Sequence, residues 1–227
     1  DTNYLIDLIR RNEVTTLHFV PPMLQAFVED PDATSCSPLR RVICSGEALP
    51  GDLRDRFIRL LDCYLHNLYG PTEAAIDVSF WDCHKETENP AIPIGHPISN
   101  TQLPILDTNF EPLPAGAPGE LMIGGINLAR GYHARPDLTA DRFIPNVFAT
   151  QDSAGSRLYR TGDLTKFRSN GCIDFLGRLD NQVKIRGLRI ELGEIETVFG
   201  SHPQIQETVV LVREDRPGLR RIVAYLV

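Results

Sequence analysis

The sequence has little that would tie it to an extracellular scaffold, to nucleic acid or to a membrane. Its five cysteines, Cys36, Cys44, Cys63, Cys83 and Cys172, are odd in number, with no C-x-x-C pair and no His/Cys spacing suited to a metal. That speaks against a disulfide framework and for a reducing compartment. A basic excess is also missing: the formal net charge is −7, whereas general nucleic-acid or membrane-surface binding needs a cationic footprint. One basic pocket would still suffice for a nucleotide. No apolar run approaches the roughly 18 residues of a membrane span, and the first residues, DTNYLIDLIRR, lack the layout of a secretory signal. The expectation is a cytoplasmic protein with no nucleic-acid and no membrane partner. Internal repeats and low-complexity linkers are absent too, so the 227 residues hold one large domain or two small ones.

What is present changes character along the chain. Residues 1–99 alternate helical and strand patterns. A helix is expected around 4–11, a strand at 16–19, a helix after Pro21-Pro22 with Leu24, Phe27 and Val28 on one face, and a strand at 41–44. A third helix carries Leu53, Phe57, Leu60 and Leu61, and a strand enters Asn67-Leu68-Tyr69. This is α/β grammar: a mostly parallel sheet covered by helices, with ligands outside the carboxyl ends of its strands. Residues 100–180 switch to prolines (104, 112, 114, 118), short apolar segments such as Leu121-Met122-Ile123 and the turn Ser169-Asn170-Gly171, which predict a β-rich subdomain. Residues 181–227 predict a small α+β piece. It has a strand at 182–185, a helix from near Gly193, and strands at 208–212 and 221–227 joined by a turn at Asp215-Arg216-Pro217-Gly218.

Three stretches carry chemistry. In Tyr69-Gly70-Pro71-Thr72-Glu73 the glycine and proline make a tight turn at a strand end and present a hydroxyl and a carboxylate together. Thr72 can donate to a phosphate oxygen, and Glu73 is a hard oxygen ligand suited to Mg²⁺. The plain alternative is a strand-ending turn in which Glu73 caps the next helix. In Tyr159-Arg160-Thr161-Gly162-Asp163-Leu164 one carboxylate, Asp163, can accept from both vicinal hydroxyls of a ribose, or simply sit in a turn. GRLDNQVKIRGLRIELGEIE, residues 177–196, holds too many ionisable groups for a buried segment and too many apolar ones for a tail. It reads as the structured edge of a charged-ligand site, or as a solvated, salt-bridged hairpin.

These stretches, together with NLYGPTEAAID (67–77) and GELMIGGINLARGYHARPDLTADRF (119–143), stand in the order found in the adenylation domains of non-ribosomal peptide synthetases, which they resemble. Those belong to the larger group of adenylate-forming enzymes that includes acyl-CoA synthetases and luciferases. The resemblance implies the C-terminal part of the adenylate-forming fold: a βαβ sheet portion, a β-rich barrel-like subdomain and the start of a small lid. The phosphate loop would lie upstream of residue 1, and the distal lysine beyond Val227. It implies ATP as substrate, Mg²⁺ at Glu73, and a nucleotide site in which Tyr69 stacks on adenine, Asn67 contacts its amino group and Gly46, Glu47 and Ala48 run along it. Gly70 and Thr72 would lie at the phosphates, Asp163 on the ribose, Phe175 against the nucleotide and Arg178 at ribose or phosphate. Asp180 would be the hinge of the lid. The loop from Lys184 to Glu191, bent at Gly187, would swing in to line a channel for the phosphopantetheine thiol of a peptidyl carrier domain, one of the neighbouring synthetase domains expected as partners.

Counting from the motifs, the same resemblance puts His18, Ile43, Ser45, Leu68, Ile76 and Asp77 around the amino-acid side chain. An apolar substrate would leave three polar groups unused, at about 1 to 3 kcal/mol for each one buried without a partner. The set therefore suits a small hydroxyl and is similar to that of serine-activating members, with His18 and Asp77 orienting each other. Two alternatives stay open. An acyl- or aryl-CoA ligase shares YGPTE-like and TGD motifs, although the 181–196 run and the polar pocket argue against it. A nucleotide-binding fragment without catalysis is the other.

Overall fold

The computed structural model describes residues 1–85, 91–151, 155–215 and 220–227. Two compact units emerge, Asp1–Leu179 and Asp180–Val227. The first opens with α1 (Thr2–Arg11), whose amide at Tyr4 donates to the Asp1 side chain at 3.3 Å and whose Ile6 and Ile9, three apart, turn inward. β1 (Thr16–Phe19) leads into α2 (Pro21–Glu29), where proline takes the first helical position and Leu24, Phe27 and Val28 are buried. β2 (Arg41–Cys44), α3 (Gly51–Leu60, burying Leu53 and Phe57) and β3 (Tyr64–Tyr69) complete the βαβ alternation.

β1, β2 and β3 pair in parallel, His18 opposite Ile43 and Ile43 opposite His66. β4 (Ser79–Asp82) and β5 (His96–Pro97) then extend the same sheet antiparallel. A strand's side chains alternate faces, and here the alternation is sharp. Phe19, Val42, Cys44, Leu65, Asn67 and Tyr69 are buried, while His18, Ile43 and Leu68 stay exposed or half-buried.

The second sheet of this unit is antiparallel. It contains β6 (Thr101–Gln102), β7 (Ile105–Leu106), β8 (Gly119–Gly125), β9 (Phe143–Pro145), preceded by α4 (Pro136–Arg142), then β10 (Arg157–Phe167) and β11 (Ile173–Arg178). β8 and β10 form its centre, and Leu121, Ile123 and Tyr159 join Tyr69, Val78 and Ile94 in one apolar core. Residues on either side of position 99 therefore share one core. β10 departs from regular register with β8 between Arg160 and Leu164, so the TGD triplet lies in a bulge.

The second unit contains β12 (Gln182–Ile185), β13 (Leu188–Glu191), α5 (Leu192–Gly200), β14 (Thr208–Glu214) and β15 (Arg220–Leu226). β12 and β13 join through Arg186 and Gly187, both at positive φ (54° and 77°), the backbone that suits a two-residue hairpin. Of the turn expected at 215–218, residues 216–218 lie outside the described ones. Among the described residues no helix is long and apolar enough to cross a membrane. The five cysteines are unpaired and buried, and burial pushes the thiols of Cys44 and Cys83 up to about 12.

Candidate active site

The YGPTE turn is held by a close backbone approach. A Cβ at Gly70 would lie 2.3 Å from the Ile76 carbonyl oxygen, so only glycine lets the two limbs of the loop pack. Ala75 and Ile76 both take positive φ (57° and 81°), and the Asp77 amide donates to the Ala75 carbonyl at 3.1 Å across Ile76. A β-branched residue there stores backbone strain of about 1 to 3 kcal/mol, and its effect is to aim Asp77 back toward the sheet. Thr72 is exposed and Glu73 is buried. Glu73 caps no helix. Its Oε1 accepts the Tyr132 hydroxyl at 2.6 Å, and its backbone carbonyl accepts the Ala129 amide at 2.8 Å.

Behind this turn, on the buried face of β3, three of the expected nucleotide residues meet. The Tyr69 hydroxyl donates to Asp163, and Arg178 donates to Asp163 Oδ1 at 2.8 Å and to the Thr161 carbonyl at 2.9 Å. Burial, followed by the negative charge of Asp163, pushes the Tyr69 phenol well above its usual range. Asp163 is aimed by the bulge in β10. Thr161 Oγ1 accepts the Asp163 amide at 2.9 Å while donating to the Leu121 carbonyl at 2.7 Å, and Glu120 takes the Gly162 amide at 3.1 Å and Arg160 at 3.0 Å. Asn67 lies on the same face. Its amide nitrogen donates to the Pro93 carbonyl at 2.8 Å, and its Oδ1 is buried with no partner among the described residues. Phe175 is half-buried and packs on the core shared by the two sheets.

The opposite face of the same strands gathers the side-chain pocket candidates. His18 Nε2 and Ser45 Oγ share a hydrogen bond of 2.7 Å. The expected pairing of His18 with Asp77 is replaced by His18–Ser45, because Ser45 follows Ile43 by two residues and shares its face beside His18. Asp77 is near enough for the His18 charge to favour its carboxylate, but burial outweighs this and raises the carboxyl above the usual range. Asp77 Oδ1 is buried and has no partner among the described residues. Leu68 and Ile43 are half-buried, and Ile76 is 65% exposed. Gly46 sits at φ 88°, with Glu47 half-buried and Ala48 exposed just beyond β2.

Residues 1–133 fit the family described as AMP-binding enzyme. The chain belongs to the AMP-binding enzyme family. It is 50% identical over its whole length to phosphinothricin tripeptide synthetase PhsB of Streptomyces viridochromogenes, of which it spans 19%. It is 48% identical, over 94% of its length, to enterobactin synthase component F of Escherichia coli, of which it spans 17%. The chain thus spans less than a fifth of either relative. Its fold matches that of holo-PA1221, an NRPS protein containing adenylation and PCP domains bound to a vinylsulfonamide inhibitor. The TM-score is 0.87 at 28% identity, covering all of this chain and 39% of that one.

The residues of this AMP-binding chain suit the two groups its family implies. A buried, unpartnered Asn67 Oδ1 is an acceptor for an amino group. Glu73 is a buried carboxylate at this turn, a hard oxygen donor of the kind that could hold a magnesium ion. Asp180 and Lys184 belong to the second unit. There Asp180 Oδ1 accepts the Gln182 amide at 3.1 Å, and the hairpin register sets Lys184 opposite Arg189. Sequence reading gave no part to Tyr132, Glu120 or Thr161. The partners of Tyr132 and Glu120 are 59 and 42 positions away along the chain, which leaves no local pattern to read, whereas the Thr161 bond to the Asp163 amide, two residues on, is a local turn signal that was missed.

Proposed function

We propose that this chain is part of an amino-acid-adenylating domain of a non-ribosomal peptide synthetase, and that the amino acid is L-serine. The observation that carries the serine assignment is the polar trio at one edge of the parallel sheet: His18 and Ser45 joined at 2.7 Å, with a buried Asp77 oxygen still lacking a donor. A serine hydroxyl supplies that donor, and Ile43, Leu68 and Ile76 limit the side chain's size. The relatives named as peptide synthetases support the wider reading.

In the first half-reaction a carboxylate oxygen of serine attacks the α-phosphorus of ATP, the bond to the α–β bridging oxygen breaks, and pyrophosphate leaves. Catalysis of such a transfer is mostly positioning and charge stabilisation. Asn67 accepts from the adenine amino group, and Gly46, Glu47 and Ala48 flank the base beside Tyr69 and Phe175. Asp163 accepts from the ribose hydroxyls, backed by Arg178. Gly70 keeps the turn tight enough for Thr72 to reach a phosphate oxygen. Magnesium, when bound, neutralises phosphate charge, and Glu73 is the side chain that would hold it. In the second half-reaction the thiol of a carrier-bound phosphopantetheine attacks the acyl carbon and AMP leaves. The carrier domain within holo-PA1221 supports such a partner, with Lys184 and its loop lining the thiol's approach and Asp180 as the pivot.

Asp77→Ala in the parent protein tests the pocket. Serine-dependent exchange of pyrophosphate into ATP should fall at least about tenfold more than alanine-dependent exchange, because only serine loses a hydrogen bond to a charged acceptor. Equal losses for the two substrates would assign Asp77 a role in holding the loop alone.

A further inference from the structure

Tyr132 sits on a strap that is tied to the 72–74 turn at three points. Asn127 Nδ2 donates to the Ala74 carbonyl at 3.3 Å, the Ala129 amide to the Glu73 carbonyl at 2.8 Å, and the Tyr132 hydroxyl to Glu73 Oε1 at 2.6 Å. The strap is anchored from its other side as well. Arg157 reaches the Ala129 and Arg130 carbonyls, each at 2.9 Å, while lying 5.1 Å over the Phe143 ring.

The orientation of the phenol is fixed by its surroundings. Its ring meets Phe143 edge-on at 5.7 Å, and its amide donates to Thr139 Oγ1 at 2.9 Å. A Cβ at Gly131 would lie 2.4 Å from Thr139 Cγ2, so the preceding residue must be glycine for the strap to close on α4. The hydroxyl is the donor of this pair, since a carboxylate oxygen only accepts. A glutamate side chain has three rotatable bonds, and a fixed donor on one oxygen removes most of that freedom before a ligand arrives.

We propose that Tyr132 is a positioning residue of the adenylation site: its hydroxyl holds Glu73 Oε1 so that the carboxylate keeps one orientation when the nucleotide and its cation bind. This rests on the reading of Glu73 as the acidic group at the phosphates. A partner that orients a metal-binding carboxylate is worth about tenfold or more in metal affinity.

The test is calorimetric titration of a non-hydrolysable ATP analogue into the parent protein, with and without Mg²⁺. Tyr132→Phe keeps the ring and removes the donor. It should weaken binding about tenfold with Mg²⁺ and leave binding without Mg²⁺ and the KM for serine unchanged. Glu73→Gln should weaken the Mg²⁺-dependent part as well, and adding Tyr132→Phe to it should change nothing further. If Glu73→Gln loses the Mg²⁺-dependent affinity while Tyr132→Phe keeps it, or if the two losses add, the positioning role is overturned and the reading of Glu73 stands. If Glu73→Gln keeps the Mg²⁺-dependent affinity, the reading of Glu73 fails and the role of Tyr132 with it. Arg157→Gln, which loosens the strap without altering either partner, gives a second check should Tyr132→Phe not fold: a smaller loss in the same direction supports the proposal, and wild-type Mg²⁺ dependence overturns it.

Discussion

Asp163 illustrates how a single carboxylate is made ready by its neighbours. Its amide is fixed by Thr161, one oxygen is taken by Arg178 and the other by the Tyr69 hydroxyl. Its side chain is almost fully buried, and a charge in such a place persists only because it is paired and hydrogen-bonded. Asp163→Asn keeps the shape and removes the charge that Arg178 and a ribose would share. In the parent protein the KM for ATP should rise about 10- to 100-fold while the KM for serine stays near its starting value. A parallel rise in both would mean that the bulge has collapsed rather than that a ribose contact was lost. Sequence alone could single out Asp163 by its motif, as it could Glu73. It could not find the donors that fix them, since a hydroxyl such as Tyr132 becomes informative only when a distant turn is folded against it.

At the scale of elements, β3 sends its side chains to two faces. Leu68 shares one with His18 and Ile43, and Asn67 and Tyr69 share the other, where Tyr69 meets Asp163. That alternation follows from the two-residue period of a strand, and the helices and strands of residues 1–69 were legible from apolar spacing, whereas the pocket candidates came only from the resemblance to a family. The loop after β3 was only partly legible. Its glycine and proline marked a turn, but the positive φ of Ile76 comes from tertiary packing that overrides a β-branched residue's preference. The close approach gives a direct prediction. Gly70→Ala must displace the Ile76 backbone and should destabilise the first unit by about 2 kcal/mol or more. Gly193→Ala in α5, where a Cβ meets nothing within 4 Å, should be neutral or stabilising by about 0.5 to 1 kcal/mol. Denaturant melts of both variants, followed with probes local to each unit, check the contrast. Equal effects would contradict the packing described for the loop.

The whole chain is two compact units that part between Leu179 and Asp180. The change of sequence grammar near residue 180 was readable because a dense charged run replaces apolar β-strand patterns. The shared core across residue 99 was not, since Tyr69, Val78 and Ile94 meet Leu121 and Ile123 only through tertiary packing. If Asp180 is the pivot between half-reactions, Asp180→Pro, which fixes φ near −65°, should spare adenylate formation and slow acyl transfer to the carrier thiol about tenfold or more. Melting must be followed alongside, and equal losses in both half-reactions at unchanged stability would remove Asp180 from that role. The central claim, that this AMP-binding chain serves a serine-activating domain, is tested most directly by amino-acid-dependent exchange of labelled pyrophosphate into ATP by the parent protein. The account predicts the highest exchange with L-serine, less with threonine and alanine, and background with leucine and phenylalanine. Strong exchange with leucine or phenylalanine and none with serine would contradict it.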